Sequence, residues 1–144
     1  MKTQMLRIAV FAMALLALAS AAMAQTSSGI FVDVPFAFVA GNHHMQPGRY
    51  AVTSAANGFL RIYETGVADN QLFLAVHSIQ SNAPQDAKLV FHRYGDTYFL
   101  SEIWKGNSEI GRELPKSKEE KEIELGRLNA PRPKAEVAEV RPER

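Results

Sequence analysis

The residues of this 144-residue chain best suited to chemistry are its four histidines, His43, His44, His77 and His92. His43 and His44 are adjacent, so on an extended backbone their rings point to opposite sides, and one ion takes both only across a turn. His77 and His92 fall on what read as consecutive strands. With Gln80 opposite Lys88, Val76 meets His92 and His77 meets Phe91, which sends the two imidazoles to opposite faces. Another register would bring them together. Zinc needs three or four converging ligands, so the expectation is ordinary, partly exposed histidines and no metal site.

A second group is Arg93, Tyr98, Glu102 and Trp104 within residues 88–104. Arg93 faces Tyr98 across a ladder, whereas Glu102 lies two pairings away, too far for an ion pair. Glu102 beside Trp104 reads as an acid near a strand end that reaches water. Nucleophilic catalysis lacks its parts: the chain has no cysteine, no G-x-S-x-G elbow, and no Ser with a His and an Asp in evident reach. No P-loop, dinucleotide fingerprint or H-E-x-x-H is present, and no carboxylate pair at glycosidase separation can be assigned. The aromatics Phe31, Phe36, Phe38, Tyr63, Phe91, Tyr98 and Trp104 are of a kind that lines a ligand cavity, but a body this small needs most of them inside. The reading is of no catalytic, cofactor-binding or metal-binding residues, and of a protein that is not an enzyme.

The element holding most of these residues is a hairpin over 88–104, KLVFHRYGDTYFLSEIW. Two runs of β-branched and aromatic residues flank Gly95-Asp96, a two-residue hairpin loop. Its expected pairs are Arg93 with Tyr98, Phe91 with Leu100, and Leu89 with Glu102. Val90, His92, Tyr94, Phe99 and Ile103 take the other face, and two largely apolar faces predict a central hairpin. Upstream, residues 30–40 alternate with period two, placing Ile30, Val32, Val34, Phe36 and Phe38 on one side. Pro35 makes that strand an edge or breaks it. Short strands follow over 49–54 and 59–64 about an Asn57-Gly58 turn, then over 71–80, with a surface loop at 81–87 and a last strand at 108–112. The sum is an all-β fold: a small antiparallel meander barrel or sandwich of about six to eight strands.

The ends differ from this body in composition. Lys2 and Arg7, an apolar run over 8–18, and Ala22-Met23-Ala24 form a secretory signal peptide (residues 1–24) cleaved after Ala24, shorter than a spanning helix. Without it, the sixteen basic residues become fourteen against fifteen acidic, a near-neutral balance that argues against general nucleic-acid binding. The body spans 25–114. The remaining thirty residues hold fifteen of the mature chain's twenty-nine charges. Within them Ser117 and Glu120 form a capping box, which starts a charged helix in 115–128, with Lys118 and Glu122 as an i,i+4 pair and a thin apolar side of Ile123, Leu125 and Leu128. Residues 129–144, with three prolines and alternating charge, read as a disordered tail.

Four segments together, V-P-F-A-F (34–38), P-G-R-Y (47–50), K-L-V-F-H-R-Y-G-D-T-Y-F-L (88–100) and G-R-E-L-P (111–115), resemble a family of small exported β-rich proteins of environmental bacteria. The likeness covers most of 30–120. It implies placement in the envelope or outside the cell, periplasmic or secreted, and implies no activity. The resulting expectation is an exported, non-enzymatic structural or interaction module of the envelope, its partner an envelope component or a protein. The alternative is a carrier holding a small apolar ligand in a barrel cavity.

Overall fold

A computed structural model describes residues 29–67, 70–127 and 136–142 of the chain. The expected leader and its cleavage site lie outside the described residues, as do 128–135 and the last two residues. Among the described residues no helix is long and apolar enough to cross a membrane.

Strand β1 (Ile30–Val34) buries Ile30, Val32 and Val34 and turns Phe31 and Asp33 outward. The alternation ends at Pro35, which has no N–H to continue a ladder. The chain then changes sheets and resumes as β2 (Phe38–Ala40). A turn through Gly41, at φ +62°, leads into β3 (His43–Met45), so the two adjacent histidines sit on a short strand paired with β2. Next come β4 (Gly48–Ser54), β5 (Phe59–Glu64) and β6 (Gln71–Ala75). Asn57 and Gly58, both at positive φ, carry the β4–β5 reversal where the sequence put it. These strands form an antiparallel sheet in the order β1-β4-β5-β6.

The second sheet is built from β7 (His77–Gln85), β8 (Lys88–Tyr94), β9 (Thr97–Trp104), β10 (Ser108–Glu113) and β11 (Glu136–Val140), in the order β11-β8-β9-β10-β7, with β2 also on β9. The β8–β9 hairpin is central, as its two apolar faces require. One edge of β9 is shared, parallel to β2 at Tyr98 and Phe99 and antiparallel to β10 at Glu102 and Ile103. Helix α1 (Lys118–Arg127) follows β10. The sheets do not close into a barrel; they pack as a sandwich over one core. Rings from both sheets meet there: Phe38 lies 5.3 Å from Tyr50 and 5.3 Å from Phe91, both edge-on, and Phe36 stacks on Tyr98 at 3.9 Å. Each such side chain contributes about 1.5–3 kcal/mol by leaving water.

Four expectations need correction. Residues 81–85 are not loop but the second half of β7, where Pro84 is tolerated because β7 is an edge strand. β7 pairs with β10 rather than β8, so Gln80 lies opposite Ile110 and not Lys88. The region read as a disordered tail contains β11, which pairs with β8 over five residues because its Ala138 and Val140 reach the core and its glutamates meet cations of the sheet. Finally, the hairpin register holds for Arg93–Tyr98 and Phe91–Leu100, then slips by one: Val90 faces Glu102, and Leu89 faces Ile103. Ser101 is the extra residue of this bulge. A regular ladder would set Glu102 on the core face, and burying an unpaired carboxylate costs several kcal/mol. One inserted residue exchanges it for Ile103, which is fully buried.

Candidate functional site

Two surfaces of the sandwich concentrate polar and aromatic chemistry. The first lies on the outer side of the β8–β9 hairpin, beneath α1. Ser117 caps the helix, its hydroxyl accepting the Glu120 N–H at 3.0 Å, while Asn42 accepts from the Lys118 N–H at 3.2 Å. The Glu120 side chain does not turn back to the cap. It points into the sheet, 3% exposed, and its carboxylate accepts from His92 Nδ1 at 2.8 Å and from the Tyr94 hydroxyl at 3.3 Å. With the proton on Nδ1, His92 Nε2 accepts the Ser101 hydroxyl at 3.1 Å. Tyr94 also reaches Glu124, 3.3 Å away, which is bonded to Lys116. Burial, with Glu120 and Glu124 beside it, pushes the Tyr94 hydroxyl well above its usual range. The Lys116 bond holds Glu124 below the ordinary carboxylate value. Ile123 completes the contact by packing on Val39, Tyr94 and Phe99.

Ser101, His92 and Glu120 thus stand in the order of a hydrolytic triad, a constellation invisible in the sequence because the bulge and the helix assemble it. Its chemistry is limited by access. A nucleophile must present Oγ to a carbonyl beside oxyanion donors, and Ser101 is 6% exposed. The arrangement works as a clasp that pairs the buried Ser101 and Glu120 side chains through the partly buried His92 and ties the helix to the hairpin; no buried side-chain nitrogen or oxygen among the described residues lacks a partner.

The other histidines are apart from it. His44 meets Glu119 at the surface at 3.2 Å, His43 is exposed, and His77 lies opposite Glu113 on the far edge of the sheet. Among the described residues no three His, Asp or Glu side chains are placed to hold a metal. Arg93 lies over the Tyr98 ring at 5.5 Å and reaches Glu136 of β11. Glu102 accepts the Trp104 indole N–H at 2.8 Å, so the pair read as acid beside aromatic is a direct bond. Trp104 in turn lies flat against Gly111, where a Cβ would stand 2.8 Å from its ring.

The second surface is the outer face of the four-stranded sheet. Phe31, Ala51, Tyr63 and Gln71 form one cross-strand row, Thr53, Arg61 and Phe73 the next, and Phe59 and Ala75 a third. Phe31 is 52% and Phe73 58% exposed, and Phe59 is exposed as well. Arg61 stands at the centre, its guanidinium 5.2 Å from the Tyr63 ring, donating to Thr53 at 3.2 Å and to Gln71 at 3.4 Å. Of the seven aromatics singled out in the sequence, Phe38 and Phe91 are core and Trp104 is nearly as buried, Phe36 and Tyr98 pack at its margin, and Phe31 and Tyr63 face outward here. Phe59, Arg61 and Phe73 were placed by the sequence only on strands over 59–64 and 71–80, without a role.

The fold and these two surfaces define a two-sheet β-sandwich with a clasped helix. No protein family, curated protein or solved structure matches the chain.

Proposed function

We propose that the protein is an exported, non-enzymatic interaction module of the bacterial envelope that binds a protein partner through the outer face of its four-stranded sheet. The observation that carries this reading is the exposed aromatic face about Arg61. Isolated apolar residues on a surface mean little, whereas three exposed phenylalanines on one sheet face, with a guanidinium held against Tyr63 at its centre, combine the apolar and Arg anchors of an interface. Phenylalanine rings without polar ends favour a protein partner, which supplies apolar area and a carboxylate or carbonyl for the Arg61 fork. Export rests on the leader read from residues 1–24.

The carrier reading is weaker, since the rings that would line a cavity pack against one another. A groove of about 370 Å³ beside the first turn of α1 is open and lined by Asn42, Ser117, Lys118, Glu119 and Glu122 with only Val39 apolar.

The test is capture from an envelope extract of the native host with the processed chain and with the double variant Phe31→Ser/Phe73→Ser. Both side chains are exposed, so the melting temperature should hold while a specific protein is lost from the captured set. Equal capture by both forms overturns the assigned face. Labelling of Ser101 by a fluorophosphonate overturns the non-enzymatic reading.

A further inference from the structure

We propose that the edge of β8 is an exchangeable strand-acceptor site whose ligand is the Glu136–Val140 segment of a second copy of this chain. This is a different surface from the aromatic face and does not depend on it. The site is built for one sequence. β11 lies antiparallel along β8 in a five-residue register, Glu136 opposite Arg93 through Val140 opposite Leu89. Lys88 meets Glu139 at 2.8 Å, Arg93 meets Glu136 at 3.3 Å, and Asp86 lies 3.9 Å from Arg141 just past the strand. The Lys88 bond holds the Glu139 carboxyl below its ordinary range. Acidic ligand residues thus meet two cations of the acceptor, while Ala138 and Val140 pack against the core.

The acceptor needs cover more than the ligand needs the acceptor. Leu89 and Phe91 are fully buried, and an uncovered edge beside them would offer unpaired N–H and C=O groups to any extended chain. β11 itself buries no residue completely, and Val137 is 64% exposed. A strand with so little burial opens at low cost. Eight residues separate it from α1, two of them proline. Every contact β11 makes to β8 within one chain is available between two, so exchange forms a symmetric dimer with no new interface.

The chain's lack of cysteine allows a clean test. Residues directly across an antiparallel ladder have Cβ atoms about 5 Å apart, so Arg93→Cys and Glu136→Cys can be joined by a disulfide. The two single variants, distinguishable by mass, each lose the same exposed ion pair. They are refolded together from urea at high concentration and mildly oxidised. The proposal expects the mixed dimer, one chain of each, several-fold above the random proportion. A statistical mixture of mixed and like dimers, with the Arg93→Cys/Glu136→Cys chain closing within itself, overturns it. So does failure of that double variant to close at all, since β11 then does not occupy β8.

Discussion

Replacing Glu120 by alanine removes the acceptor shared by His92 Nδ1 and the Tyr94 hydroxyl beneath the helix. Tyr94 keeps Glu124 as an acceptor, so the loss falls on the partly exposed His92. A donor left unpaired costs about 1–3 kcal/mol, so Glu120→Ala should lower stability by about 1–2 kcal/mol, read from the urea midpoint at unchanged slope. Ser101→Ala removes a single bond and should cost about 1 kcal/mol. Both act through His92, so the double variant should fall short of the sum; strict additivity would mean that the clasp is not one network. Gly111 sets a steric limit of a different kind. A methyl there meets the Trp104 ring at 2.8 Å, and with both residues buried either the ring or the β10 backbone must move. Gly111→Ala should therefore cost about 1–3 kcal/mol and shift the emission of the chain's one tryptophan. Unchanged emission would show that the backbone of β10 yields instead.

At the level of elements, the helix and the C-terminal strand are tied down by carboxylates, and this sets their response to pH. Glu124 is held low chiefly by its bond to Lys116, and Glu139 chiefly by its bond to Lys88. A carboxyl whose folded value lies below its unfolded value of 4.5 contributes stability that is complete above about pH 4.5 and is lost as pH falls through the folded value. Tyr94 has the opposite sign: raised from 10.0 when folded, it contributes below pH 10 and loses its contribution as pH rises through the folded value. Hydrogen exchange should show α1 and β11 loosening below pH 4 while β4, β5 and β9 stay protected, and α1 loosening again in strong alkali. Simultaneous loss of protection everywhere at pH 3 would contradict this. The same two elements mark what sequence reading captured and missed. The hairpin and its Gly95-Asp96 loop, the Pro35 break, the Asn57-Gly58 turn and the Ser117 cap are local rules and were all legible. The bulge at Ser101, the pairing of β7 with β10 and the docking of β11 depend on partners far away in sequence. The short pattern Glu136–Val140 is too polar to declare itself until β8 supplies Lys88 and Arg93. The Ser101–His92–Glu120 network was hidden for the same reason, since none of its spacings matters until the helix lands on the hairpin.

The whole molecule depends on a core that neither sheet owns. Phe38 enters from the hairpin side and touches Tyr50 of the opposite sheet and Phe91 of its own, and all three are buried. Removing such a ring costs about 3–5 kcal/mol, a large share of the 5–15 kcal/mol typical of a domain. If the two sheets share one core, they must melt together. Trp104 sits in the second sheet and reports on it by fluorescence, whereas far-UV circular dichroism reports on both. In the parent chain the two signals should give one coincident transition in urea, as a two-state domain requires. In Phe38→Ala both should move to lower urea by the same amount. A fluorescence midpoint that separates from the dichroism midpoint in the variant would mean that the β1-β4-β5-β6 sheet holds its structure alone. The aromatic face on its outer side would then belong to an independent unit, not to a sandwich whose rigidity is set by the helix-clasped hairpin behind it.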